Sequence, residues 1–133
     1  MNNKTINRYI EITRALKAKK QNGRSFHTTF IFDKSKLLSI GWNDYSKEHR
    51  RHKFGDYTSK NEFAHYTSGV HSECSAIIRL GEEDCSDYSF LNVRIDNNGE
   101  VNLAKPCHNC MGLLNQVGFK RLIWTTKDGV NTI

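Results

Sequence analysis

Two short segments, HSE at 71–73 and PCHNC at 106–110, limit what this chain can fold into more than anything else in it. Each stands where a helix is predicted to begin. Cys107 and Cys110 are three residues apart, so a helix start puts both thiols on one face of its first turn. Pro106 suits that place, because the first helical residues have no intrahelical partner for an N–H. His71 opens the preceding helix in the same way. A fold that lays the two helices side by side therefore brings three metal-binding side chains together. Three protein ligands and one open position make a catalytic zinc site, whereas structural sites usually take four. The two helix dipoles add positive potential that favours thiolates. Glu73 lies two residues from His71, points to a different side, and reads as a proton carrier rather than a ligand.

Hydrophobic spacing supplies the frame around these segments. Ile6, Tyr9, Ile10, Thr13, Leu16 and Lys17 recur at helical intervals, which predicts an amphipathic helix over 5–20 with Gly23 just beyond it. The β-rich runs 26–32 and 37–42, parted by the polar Asp33–Lys36, predict an antiparallel hairpin. A helix over 71–80 ended by Gly81 follows, then a strand over 89–95 closed by an Asn97-Asn98-Gly99 turn. A second short helix over 107–117 leads to a strand over 119–125, and Asp128-Gly129 can turn a last strand at 130–133. Strands alternating with helices predict an α/β chain in layers, and the opening hairpin makes its central sheet mixed. Residues 43–70 show no period, and an irregular stretch that long inside a small domain is usually functional or mobile.

The chain has 133 residues, which suits one compact domain over 1–133. Only 37% of residues are apolar, but 14 aromatic side chains can fill a small core. No apolar run approaches the roughly 20 residues of a membrane span, and the first 20 residues lack the apolar stretch of a secretory signal. The expectation is a cytoplasmic protein without a membrane partner. In a reducing compartment, four cysteines point to metal binding or catalysis before disulfides. Net charge is +6 and uneven: residues 1–60 hold 14 Lys and Arg against 5 Asp and Glu, residues 61–133 hold 6 against 9. A basic first half suits a phosphorylated partner, and equally a plain solvated surface.

Each motif taken alone has another reading. A C-x-x-C can be a thiol redox pair or half of a structural zinc knuckle. Cys74 is expected in the core, His108 toward solvent, and Cys85, in an acidic loop, is given no role. His27, in the first strand, reads first as a satisfied sheet residue and second as a substrate contact. Taken together, however, the two segments match the H-x-E … P-C-x-x-C signature, and the chain resembles the cytidine/deoxycytidylate deaminase superfamily of zinc-dependent nucleobase deaminases. The resemblance runs over nearly the whole chain, from the first helix through the hairpin ending in GWN to the strand after PCHNC.

That resemblance implies an α/β/α sandwich, a mixed sheet of about five strands flanked by helices, and Zn2+ as the cofactor. It implies His71, Cys107 and Cys110 as metal ligands and Glu73 as the catalytic proton shuttle. It also implies a sugar contact for Asn43 and a cradle for the base carbonyl at the N–H groups around Ser72 and Glu73. Two departures stand out. The helix start reads HSECSA where free deoxycytidylate deaminases read H-A-E-x-N-A, and Lys105 precedes the proline. Ser72, Lys105 and His27 join Asn43 as candidate substrate-binding residues. The nine residues after Trp124 resemble the short ending of nucleoside deaminases and some bacterial DNA deaminases.

Residues 44–66 interleave basic and aromatic side chains, among them Tyr45, Arg50, Arg51, Lys53 and Phe54. Such a mixture suits single-stranded nucleic acid, since cations follow phosphates while rings stack on bases. Tyr45, Arg50 and Arg51 complete the candidate binding set. The same residues can clamp one 5′-phosphate, or form an ordinary basic loop. The expected reaction is hydrolytic deamination of cytosine to uracil, with single-stranded DNA ranked ahead of free dCMP or deoxycytidine, then RNA, then adenine. The competing class is a zinc-stabilised nucleic-acid-binding module without catalysis, for which Glu73 would have no use.

Overall fold

The computed structural model describes residues 1–20, 25–43 and 71–133. Its elements run α1 (Asn3–Lys20), β1 (Phe26–Asp33), β2 (Lys36–Trp42), α2 (Ser72–Leu80), β3 (Ser89–Ile95), β4 (Val101–Asn102), α3 (His108–Val117), β5 (Arg121–Thr125) and β6 (Val130–Thr132). The strands form one mixed sheet in the order β2-β1-β3-β5-β6, with the short β4 pairing β3. The β1–β2 hairpin, β1–β3 and β5–β6 are antiparallel, while β3 and β5 are parallel, as the intervening α3 requires.

Alternation along the strands divides the interior into two cores. Phe30, Phe32, Leu91, Val93, Ile95 and Ile123 face one way, where Tyr9, Ile10 and Ile12 of α1 cover them. Ile31, Phe90, Leu122 and Trp124 face the other way and pack with Cys74, Ile77, Leu113 and Leu114 of α2 and α3. The result is the α/β/α layering expected from the sequence. Tyr9 seals the first core with its ring 4.8 Å from Phe30 and 5.1 Å from Phe32.

Several boundaries move by one or two residues. The last turn of α1 carries Lys17, Lys19 and Lys20, cations that the C-terminal end of the helix dipole favours. His71 and Cys107 are not the first helical residues but the N-caps of α2 and α3, with extended backbones at φ −79°, ψ 158° and φ −67°, ψ 171°. Pro106 consequently lies before the helix, not in its first turn. The strand expected over 119–125 pairs only from Arg121. β4 is an addition: the turn after Asp96 brings Val101 and Asn102 back beside Ile95 and Arg94. Two residues are too few for a period to show in a sequence.

One glycine sets how closely α2 lies on the sheet. A Cβ on Gly41 would fall 2.5 Å from the Ser72 carbonyl oxygen and 2.7 Å from Ala76 Cα. Only a bare backbone lets β2 press against the first turn of α2. Ser39 Oγ, two residues back on the same face, donates to Ala76 O at 2.8 Å and ties the pair. The helix start that carries His71, Ser72 and Glu73 is thereby fixed to the edge of the sheet.

Candidate metal centre and active site

The two N-caps meet. Neither the His71 nor the Cys107 side chain caps its own helix. His71 Nδ1 instead lies 3.5 Å from Cys107 Sγ and 3.3 Å from Cys110 Sγ. The donor atoms of His71, Cys107 and Cys110 all lie within 4.8 Å of one another. Cys110 is fully buried, one turn into α3, while Cys107 is exposed at the lip.

This donor set fits zinc. One imidazole and two thiols are the nitrogen and sulfur ligands that zinc favours, and bonds of about 2.0–2.3 Å in a tetrahedral array place neighbouring donors about 3.5 Å apart. Three protein donors among the described residues leave a fourth position for water or substrate, as a catalytic site needs. The hydrogen bond to Cys107 and burial hold the Cys110 thiol well above its ordinary pKa. A metal therefore has to displace that proton on binding. Burial pulls His71 down, but its hydrogen bond and charge contact with Cys107, and the charge of Glu73, raise it on balance.

Glu73 stands outside the ligand group. Its side chain is 6% exposed, and each carboxyl oxygen has its own partner. Ser72 Oγ lies 3.2 Å from Oε1, and Asn92 Nδ2 donates to Oε2 at 2.9 Å. Burial, then the Cys107 charge, raise the carboxyl above its ordinary pKa, against its own backbone N–H, His71 and Ser72. A carboxyl moved that way holds a proton more readily than a free one, which suits a group that has to take a proton and return it. Asn92 is on β3 and was read from the sequence only as one residue of a strand. The signal was present: an asparagine between Leu91 and Val93, inside a buried run, needs partners for its amide.

Asn92 belongs to a row that crosses the sheet beneath the helix starts. Thr29 on β1 and Trp124 on β5 are its register partners. The Thr29 hydroxyl lies 2.8 Å from Asn92 Oδ1 and 2.9 Å from Ser72 Oγ. Trp124 Nε1 is buried with no hydrogen-bond partner among the described residues, and Lys105 Nζ sits 5.9 Å from its ring centre. Lys105 itself is exposed.

The next row toward the rim pairs His27 with Arg94. Burial first, then the charges of Arg94 and His71, lower the His27 pKa to about 4, so the ring is neutral at physiological pH. It lies on the same sheet face as Thr29, within electrostatic reach of His71 and Cys107. Arg94 was not singled out in the sequence. Its guanidinium donates to Ser25 Oγ at 3.1 Å and reaches Leu103 O at 3.4 Å.

Asn43 follows the end of β2. Its Oδ1 accepts from the His27 backbone N–H at 2.9 Å, and its Nδ2 donates to Ser25 O at 3.2 Å. The amide closes the open end of the β1–β2 hairpin. Cys74 and Cys85 are both buried in the core under α2 and α3, and His108 is exposed. Tyr45, Arg50 and Arg51, with the whole of 44–66, lie outside the described residues. No described helix is long and apolar enough to cross a membrane.

No protein-family model matches the chain, and no curated protein matches it. Among solved structures, the crystal structure of cytidine deaminase from Mycobacterium leprae is similar to it at 20% identity, over 92% of this chain and 88% of that one, with a TM-score of 0.48. A likeness of that size leaves the chemistry to be read from the residues themselves.

Proposed function

We propose that this chain is a zinc-dependent hydrolytic deaminase that converts cytosine to uracil. The observation that carries the reading is the separation of two tasks within one small site. Three donors of zinc-binding type converge from two helix starts, while a buried carboxyl two residues from one of them is held apart by Ser72 and Asn92. A binding module has no need of the second feature.

When held by His71, Cys107 and Cys110, zinc supplies the Lewis acidity that makes water a competent nucleophile near neutral pH. The protein's own part falls to Glu73. Its carboxylate takes a proton from the attacking water and passes it to the ring nitrogen as the oxygen adds at C4. It then moves the second water proton to the departing amino group. One water is consumed, the C4–N bond breaks, ammonia leaves and a carbonyl remains. Burial of Glu73 keeps bulk water from competing for these protons.

The favoured substrate is cytosine in single-stranded DNA. Support for it lies in the basic and aromatic residues of 44–66 and in the excess of Lys and Arg over residues 1–60. The test is to incubate metal-loaded protein with dCMP, deoxycytidine and a cytosine-containing oligonucleotide across a salt series, and to quantify uracil by mass spectrometry. A polymer substrate predicts a steep fall with salt, since each neutralised phosphate releases about 0.7 counterions on a single strand. Replacing Arg50, Arg51 and Lys53 with Ala then flattens that slope and costs oligonucleotide turnover far more than deoxycytidine turnover. Efficient dCMP turnover with no uracil in the oligonucleotide would assign the enzyme to free nucleotides instead.

A further inference from the structure

We propose that Asn92 is a positioning residue for Glu73, and that Thr29 fixes which way the Asn92 amide faces. The inference rests on the deaminase reading and extends it to two residues of the sheet. Thr29, Ser72, Glu73 and Asn92 are all at least nine-tenths buried. Their polar atoms have to find one another, because solvent does not reach them.

The chemistry of the partners settles the orientation of the amide. The atom of Asn92 that faces Glu73 also lies 3.3 Å from Ala104 O, a carbonyl that can only accept. That atom is therefore the NH2 group, with two protons for two acceptors. The amide oxygen is left to face Thr29, and it too can only accept, so the Thr29 hydroxyl donates to it. A flipped amide would set oxygen against oxygen at both Ala104 and Glu73. Thr29 and Ala104 O thus lock Asn92, and Asn92 locks Oε2 of Glu73.

The anchor matters because of where it comes from. Ser72 neighbours Glu73 in the chain and moves with the same helix turn. Asn92 sits on β3 in the middle of the sheet, paired with Thr29 on β1. With one partner on each oxygen, the plane of the carboxyl is set relative to the sheet rather than to its own helix alone. A proton carrier has to reach two successive atoms of the substrate, and a displacement of about 1 Å can cost on the order of 100-fold in rate. The same ring of contacts, if it merely satisfied a buried polar pair, would influence stability and nothing else.

Shape-conserving variants of the metal-loaded protein separate the two roles. Asn92→Asp keeps the outline but turns an acceptor toward Glu73 Oε2 and Ala104 O. Thr29→Val keeps the outline and deletes the hydroxyl, whereas Thr29→Ser keeps the hydroxyl and loses a methyl. On the substrate that is turned over, Asn92→Asp and Thr29→Val are expected to lower kcat by roughly 10- to 100-fold with KM within about threefold, zinc content unchanged. Thr29→Ser should recover most of the loss. In NMR spectra, the Asn92 side-chain amide signals should shift in Glu73→Gln and in Thr29→Val but stay in place in Thr29→Ser.

Wild-type kcat in Asn92→Asp, or a Thr29→Val protein as active as Thr29→Ser, overturns the proposal. Should Asn92→Asp fail to fold, the Thr29 pair decides alone. If the wild-type protein deaminates none of the three cytosine substrates, the deaminase reading fails. The NMR coupling of Thr29 and Asn92 to Glu73 then still stands or falls independently, and its absence would refute the positioning role.

Discussion

Along β1 and β3, Phe30 and Leu91 face α1, while their chain neighbours Thr29 and Asn92 face α2 and α3. The side under α1 is mainly apolar among the described residues, and its buried hydroxyls are paired, Thr13 with Thr28 at 2.6 Å and Thr125 with Asn102 O at 2.9 Å. The opposite side is apolar in the row Ile31–Phe90–Leu122, sets Thr29 and Asn92 beside Trp124 in the next, and pairs His27 with Arg94 in the one after. One sheet therefore carries stability on one face and both stability and chemistry on the other. The change from one row to the next occurs over two residues, about 7 Å of strand.

Perturbing each side should show the difference. The largest expected effect on stability is from Phe30→Ala, which empties a fully buried ring site between the sheet and Tyr9. A loss of about 3–5 kcal/mol is expected in denaturant titration. The folded fraction should still bind one zinc per chain. Loss of zinc from folded Phe30→Ala protein would show that the two faces are not separable.

A pH experiment probes the polar side. The His27 pKa is lowered to about 4 by burial and the neighbouring positive charges, from an ordinary value of 6.5. A base with a depressed folded pKa binds protons more readily when unfolded. Stability is thus undiminished by this group above pH 6.5 and falls as pH drops from 6.5 toward about 4. The contribution at the acid end is about 3 kcal/mol. The difference between wild-type and His27→Asn stability across that window isolates it. A difference that stays constant with pH would mean the ring is not held neutral by the fold.

Gly41→Ala is no larger in energy and more telling about the site. The new Cβ would overlap backbone atoms of Ser72 and Ala76 that cannot swing aside, so about 3 kcal/mol is lost as the start of α2 moves off the sheet. Because the strained contact is at the start of α2, turnover should fall in the folded protein as well. A crystal structure with α2 unmoved, or full activity per folded chain, would contradict that link.

How much of this could be read in advance follows from the range of each interaction. The described helices, the hairpin and the later strands show in the sequence because their apolar residues repeat at fixed intervals. The ligand segments show because histidine and paired cysteines at helix starts are chemically distinctive. What stayed hidden was decided by contacts distant in sequence. The Thr29–Asn92 contact spans 63 residues, and the Asn92–Glu73 bond depends on sheet order that no periodicity encodes. The hydrogen bonds of the Asn43 amide to the His27 N–H and to Ser25 O, 16 and 18 residues away, were likewise not legible. The helix boundaries slipped by one residue for a local reason: His71 and Cys107 keep extended backbones as caps.

The central claim is that metal binding and proton transfer are carried by different residues of one site. It is tested most directly by measuring zinc per chain and cytosine deamination on wild-type, Cys110→Ala and Glu73→Ala proteins side by side. The account predicts about one zinc and turnover in the wild type, with neither in Cys110→Ala. It predicts full zinc in Glu73→Ala, with a rate at least 100-fold lower. Glu73→Ala protein that loses its zinc, or that retains a tenth of the wild-type rate, would contradict it.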